Sequence, residues 1–290
     1  MKHTPLFSVL IAQYNNGKYL QEAIDSVKAQ TYTNWEIIIV DDNSTDNSKE
    51  LYKLYENDER IKIFYNEKNQ GCGYTKRRCA ELADGEICGF LDPDDALLPN
   101  ALNLMVSTHL SDDKISVVHS RCYLCDKNMK ILYEYKLLIL KENEDYFSHR
   151  NHGACNFSSY KNAYYKKTEG ISPFYCAGVD QDLYFKLEEV GKVYVLNEFT
   201  YKWRTGTKTS ITSDRDKTDL WNIIVMYEVC LRRGLDVNQY LLPHYKKYVN
   251  KSMYLGAQLE KKSKTYLIGK TIIYPFLLFR QLFNRIKKRA

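Results

Sequence analysis

The chain has 290 residues, 44% of them hydrophobic, with 42 Lys and Arg against 36 Asp and Glu for a formal charge of +6. That length buries one large core with an appendage, and the lack of internal repeats or low-complexity tracts excludes solenoid and fibrous architectures. The charge is lopsided: from Tyr245 to Ala290 twelve Lys or Arg stand against one acid, Glu260, so this stretch carries +11 and residues 1–244 carry −5; with no nucleic-acid reading module in it, nucleic acid is not the expected partner.

Met1 to Pro5 runs straight into Phe7-Ser8-Val9-Leu10-Ile11-Ala12, a buried-strand pattern, so no signal peptide is expected and the eight cysteines are expected to be reduced thiols of a cytosolic protein. The strand leads into Gln13-Tyr14-Asn15-Asn16-Gly17, after which Leu20, Ala23, Ile24 and Val27 recur at helical spacing. A second strand, Glu36-Ile37-Ile38-Ile39-Val40, ends on Asp41-Asp42-Asn43-Ser44-Thr45-Asp46, where Ser44 or Thr45 suits the cap of a helix carrying Leu51, Leu54 and Tyr55. A third apolar run, Ile87-Cys88-Gly89-Phe90-Leu91, lies between Gly85 and Pro93 and ends on Asp92-Pro93-Asp94-Asp95. Carboxylates at the carboxyl end of a strand face the ligand crevice of an open α/β sheet, and their hard oxygens suit Mg2+ or Mn2+ carrying a phosphorylated substrate. By itself the cluster reads equally as an acidic turn capping the helix that begins near Pro99. Cys122-Tyr123-Leu124-Cys125 is a lone CxxC in an apolar run, with no second pair at zinc-site spacing, and reads as packing.

Taken in order, Ser8-Val9-Leu10-Ile11-Ala12-Gln13-Tyr14-Asn15, Val40-Asp41-Asp42-Asn43-Ser44-Thr45-Asp46, the segment from Gly71 to Gly85, and Phe90-Leu91-Asp92-Pro93-Asp94-Asp95 resemble the family 2 glycosyltransferases. The resemblance covers roughly the first 205 residues and implies the α/β GT-A fold, a nucleotide-sugar-binding architecture whose central, mostly parallel sheet is flanked by helices. It also implies a divalent cofactor, Mn2+ or Mg2+, and inversion at the anomeric carbon. By this resemblance Tyr14 lies on the uracil face with Ala12 beside the nucleotide, Asp42 accepts from the ring N–H, and Asp41 supports it. Asp92 serves the ribose, Asp94 the metal, and Asp95 the orientation of the metal shell. Where the family usually has Ala-Arg-Asn this chain has Thr75-Lys76-Arg77; Lys76 takes the Arg position and keeps the charge without the planar fork, and Arg77 is a second candidate for the nucleotide contact.

Farther on, Ala177-Gly178-Val179-Asp180-Gln181-Asp182-Leu183 resembles the family's Glu-Asp-x-Asp-Leu motif at the start of a helix, with Val179 in place of Glu. Asp180 falls on the position of the catalytic base, and Asp182 either supports it or charge-matches the helix N-terminus. Strand stretches near Tyr194 to Leu196 and Phe199 to Tyr201 precede a basic loop in which Arg204 resembles the family's donor-side Arg and Lys208 is a candidate support. His152 is a candidate acceptor contact.

The implied activity is transfer of a single hexosyl or N-acetylhexosaminyl group from a UDP-sugar to a hydroxyl of a glycan or lipid-linked acceptor in bacterial cell-surface polysaccharide biosynthesis. Processive synthases carry several spans and a Gln-x-x-Arg-Trp motif, and neither is found. A non-catalytic nucleotide-sugar-binding module and a metal-dependent nucleotidyltransferase are the competing classes; Asp180 argues against the first and the four motifs together against the second. Residues 1–212 are the expected catalytic domain and 213–290 a helical, basic region. In the latter, the apolar run Thr271 to Phe279 follows Lys270 and is short for a membrane span. It suits a helix lying on an anionic leaflet with a kink at Pro275, peripheral on the inner face of the membrane. Packing on the catalytic domain, or in an oligomer interface, is the competing reading.

Overall fold

The computed structural model describes residues 3–135, 139–141, 144–148, 157–207 and 215–241; His152, Lys208, the expected boundary at 212–213 and the basic stretch beyond 241 lie outside the described residues. Strand β1 (Phe7–Gln13), helix α1 (Gly17–Lys28), strand β2 (Trp35–Asp41), short helix α2 (Ser48–Tyr52), strand β3 (Ile61–Tyr65), helix α3 (Cys72–Leu82) and strand β4 (Ile87–Phe90) form three successive crossovers. Both faces of β1 and β2 are covered, which is why these strands are unbroken apolar runs rather than alternating ones. Helix α1 closes one face with Leu20, Ala23, Ile24 and Val27, all fully buried at three- and four-residue spacing.

Strands β5 (Ala96–Leu97), β6 (Ile115–Cys125), β7 (Ile131–Tyr135), β8 (Ser158–Lys161) and β9 (Lys192–Arg204), with helices α4 (Ala101–Ser111), α5 (Asn162–Tyr165) and α6 (Val179–Val190), complete the domain. The sheet runs β3-β2-β1-β4-β8-β6-β9-β5, with β7 paired to β6. It is parallel from β3 to β4 and mixed beyond, since β8 lies antiparallel to β4 and β6 while β9 is parallel to β6. Strand order reverses between β1 and β4, so the carboxyl ends of β1, β2 and β4 open on one crevice.

Two local expectations differ. Ser44 and Thr45 do not cap α2; Ser44 donates its N–H to Asp41 (2.7 Å) and Thr45 donates to Asn15 (2.8 Å), so this turn closes on β1 and β2, and the helix starts later, at Ser48. Tyr194 to Leu196 and Phe199 to Tyr201 are parts of one strand, β9, whose register against β6 shifts twice around Arg121. Such irregularity bends a strand, and the far half of β9 pairs with β5 immediately after the acidic loop, Ala96 opposite Lys202 and Leu97 opposite Tyr201.

After Ser213 the chain forms a second compact unit. Its described part is helix α7 (Arg215–Arg232), with Val225, Met226, Val229 and Cys230 buried, and a following turn in which Gly234 takes φ +64°, the left-handed conformation that ends helices. Among the described residues no helix is long and apolar enough to cross a membrane.

Candidate functional site

The aspartates after β2 each join segments that are distant in sequence. Asp42 is buried; its Oδ1 accepts from the backbone N–H of Gln70 (2.8 Å) and from Asn66 (2.7 Å), and its Oδ2 accepts from the N–H of Gly71 (2.8 Å). Gly71 stands just before α3 at φ +90°, which a side chain resists, so Asp42 fixes where α3 begins. Asp41 accepts from Ser44 and from the hydroxyl of Tyr52. Asp46 accepts from the first N–H of α1, Gly17 (2.8 Å), and from the Ser48 hydroxyl (2.5 Å). Three of the roughly four acceptor positions on the Asp42 carboxylate are thereby occupied. Tyr14 stands at the tip of β1, 45% exposed, with Ala12 half-buried two residues before it.

The acidic loop after β4 is held from β9. Asp95, 1% exposed, accepts from the Tyr201 hydroxyl and the Arg204 N–H, both at 2.6 Å. Arg204 is itself buried: its guanidinium donates to the carbonyls of Asp94 (2.6 Å) and Lys127 (2.7 Å) and to Glu22 (2.5 Å), and lies 4.6 Å from the centre of the Tyr19 ring. Three of its five donors are so engaged, and the side chain braces the loop. Asp94 accepts from the Thr207 hydroxyl at 3.2 Å. Burial, and then the neighbouring Asp92, push the Asp94 carboxyl up to about 6; burial, Asp94 and Asp92 push Asp95 well above the usual carboxylate range.

The second half of the site arrives through glycine. A Cβ on Gly73 would lie 2.5 Å from the Ser172 carbonyl and 2.6 Å from that of Tyr175, so only glycine lets the 172–175 loop rest on α3. The contact is closed by the Gly73 N–H donating to the Tyr175 carbonyl at 3.0 Å. Gly178, at φ +67°, then turns the chain into α6. The result sets Asp180 against Lys76: Nζ lies 2.8 and 2.9 Å from the two Asp180 oxygens and 3.3 Å from Asp92 Oδ1. Burial raises the Asp180 pKa, Lys76 opposes that, and Asp92 adds to it.

Not every residue singled out in the sequence joins this cluster. Asp182 is fully buried and pairs with Lys186 at 2.7 Å on its own helix. Arg77 donates to Glu81 (2.8 Å) and to the Ile171 carbonyl (3.1 Å), and lines a separate groove of about 520 Å³ with Gln70, Tyr74, Arg78 and Phe174. Cys122 and Cys125 are fully buried free thiols, as packing residues should be. Sequence reasoning missed Tyr201, Thr207 and Glu22; one tyrosine among 25 carries no signal until β9 pairs beside the acidic loop.

Residues 8–169, more than half of the chain, match the sequence profile of Glycosyl transferase family 2. The chain belongs to that family. Among its relatives is the chondroitin synthase of Escherichia coli, 31% identical over 217 residues that make up 73% of this chain and 31% of the synthase. The chain spans between about a fifth and a third of the length of the chondroitin and hyaluronan synthases it matches. The fold is GT-A: the structure of S. aureus TarS 1–349 in complex with UDP-GlcNAc superposes with a TM-score of 0.69 at 19% identity, covering 91% of this chain and 79% of that one. The mannosyltransferase PcManGT from Pyrobaculum calidifontis, in complex with GDP-Man and Mn2+, gives 0.60 at 14% identity, covering 95% and 81%.

Proposed function

We propose that this family 2 glycosyltransferase is an inverting, metal-dependent enzyme that moves one sugar from a UDP-sugar to a hydroxyl of a glycan or lipid-linked acceptor in cell-surface polysaccharide synthesis. The observation that carries this reading is the meeting of Asp180 with Asp92 through Lys76, which brings the candidate base to the donor carboxylates across 88 positions of sequence. The UDP-GlcNAc bound by TarS supports the donor class, and a Bacillus subtilis relative described as a putative teichuronic acid biosynthesis glycosyltransferase, 41% identical over 92 residues that make up 31% of this chain and 36% of the relative, supports the product class.

The residues fit a divalent ion. Asp94 is half-buried next to Asp92, and the resulting upward push on its carboxyl is relieved by a cation. Mg2+ is commonly held by one or two carboxylates together with substrate phosphates, and Asp94 with its neighbour Asp92 offers such a pair. When bound, the ion supplies charge neutralisation to the departing diphosphate. Asp94 would hold it, Asp95 with Tyr201 and Arg204 keeps the loop in shape, and Tyr14, with an exposed ring, and Asp92 are the groups that would take the uracil and the ribose. Asp180 takes the proton of the acceptor hydroxyl as the oxygen attacks the anomeric carbon from the side opposite the nucleotide; one C–O bond forms, one breaks, and UDP leaves.

A panel of UDP-hexoses and UDP-N-acetylhexosamines, assayed for Mn2+-dependent turnover, identifies the donor. With that donor, Asp180→Asn lowers turnover by about two to four orders of magnitude and leaves UDP affinity near that of the wild type. Near-normal turnover in that variant removes Asp180 from the chemistry.

A further inference from the structure

Lysine is almost never this deeply buried unless paired, and Lys76 is 5% exposed. Its ammonium meets both oxygens of Asp180 and one of Asp92, and lies 5.0 Å from the centre of the Phe90 ring. One cation thus serves two carboxylates and leaves the trio with a charge of −1. Lys76 is buried while the Asp92 and Asp180 side chains are each 36% exposed, so the cation is the member out of water, and removing it leaves two neighbouring carboxylates uncompensated. The family's usual Arg would present a planar fork here, whereas Lys presents a point charge that two anions from different elements can share.

We propose that Lys76 is the positioning residue of the base: it holds Asp180 ionised and fixed in orientation, and ties it to Asp92, so that acceptor activation and the donor subsite depend on the same cation. This rests on Asp180 being the base. It also departs from the expectation that Lys76 contacts the nucleotide, because its donors point at the two carboxylates.

The groups facing Asp180 are Lys76 and Cys72 from α3, Asp92 from the loop after β4, and Tyr184 from its own helix. Burial pushes the Cys72 thiol up to about 12 and the Tyr184 hydroxyl well above its usual range, so both are neutral near pH 7. Lys76 and Asp92 therefore set the field on the base. Without Lys76, Asp180 faces only a like charge and desolvation, and both favour its protonated form.

The test uses full-length Lys76→Met and Lys76→Arg with the UDP-sugar chosen from the panel, at saturating Mn2+. In Lys76→Met the acid limb of the kcat/KM profile moves up by about one pH unit or more, and kcat at neutral pH falls about 10- to 100-fold, more than the donor KM changes. Lys76→Arg returns the limb close to its wild-type position. A lysine that only supports the fold lowers activity without moving the limb, so an unmoved limb in Lys76→Met, with Asp180→Asn inactive, overturns the role of Lys76 alone. Undiminished turnover in Asp180→Asn overturns the base reading and this proposal with it. Thermal unfolding of wild type, Lys76→Met, Asp180→Asn and the double variant reads the pair without activity: the double variant loses less than the two single losses combined, and additive losses overturn the pairing.

Discussion

Asp94 shows how much one residue's meaning depends on its neighbours. The three carboxylates at the end of β4 are evident in the sequence, but they divide the work unevenly. Asp95 is closed off by Tyr201 and the Arg204 N–H, Asp92 leans on Lys76, and Asp94 keeps a single hydroxyl contact to Thr207. Asp92 and Asp94 therefore both keep acceptor capacity that Asp95 has lost, and the family resemblance assigns the ion to Asp94. Calorimetry of UDP binding should give an affinity higher by about tenfold or more with Mn2+ than without it, and Asp94→Asn should erase that difference. Equal affinities in the wild type would remove the metal from Asp94. Arg204 carries the opposite lesson: the family resemblance points to a donor-side cation, yet its guanidinium braces the acidic loop through two carbonyls and Glu22.

Where α4, β6 and β8 pack together, two fully buried histidines make an element-scale device. His109 on α4 bonds Ser159 at 3.0 Å and His119 on β6 bonds Ser158 at 2.6 Å, so both helix and strand are pinned to neighbouring residues of β8. His119 also stacks on Tyr146, ring centres 4.5 Å apart, and meets the edge of Tyr184 at 4.8 Å. Burial lowers both pKa values from 6.5 to about 3. The unfolded chain takes up protons below about pH 6.5 that the folded chain refuses until about pH 3, so these histidines make stability fall as pH drops through that window. Each contributes a slope of about 1.4 kcal/mol per pH unit. Denaturant titrations at pH 7, 6 and 5 should show the decline, and His119→Phe should remove about half of the histidine share; an unchanged slope would mean His119 is not held neutral. Neither histidine is distinguished in the sequence, because a lone His in a mixed segment looks the same buried or exposed.

For the molecule as a whole the charge split matters most. A basic stretch of +11 follows residues 1–244, which carry −5, and by sequence its apolar run is short for a membrane span. Docking on an anionic leaflet remains our proposal for it, with the residues beyond 241 outside the described structure. Truncation after Lys264 should release the protein from phosphatidylglycerol vesicles in co-sedimentation while UDP binding survives, and added salt should weaken the binding of the full chain. Indifference of the full chain to such vesicles at low salt, or unfolding of the truncated one, makes the stretch a packing element instead.

The sequence by itself determined the apolar strands, the acids at their carboxyl ends and the family. Those features are local: a buried strand needs consecutive apolar residues, and a strand tip carries its motif with it. Only the tertiary structure decided which polar groups meet. Lys76 finds Asp180 across 104 positions and Asp95 finds the Arg204 N–H across 109. Those partners depend on β9 pairing beside the acidic loop and on Gly73 admitting the 172–175 loop, and a polar side chain takes whichever partner the register delivers.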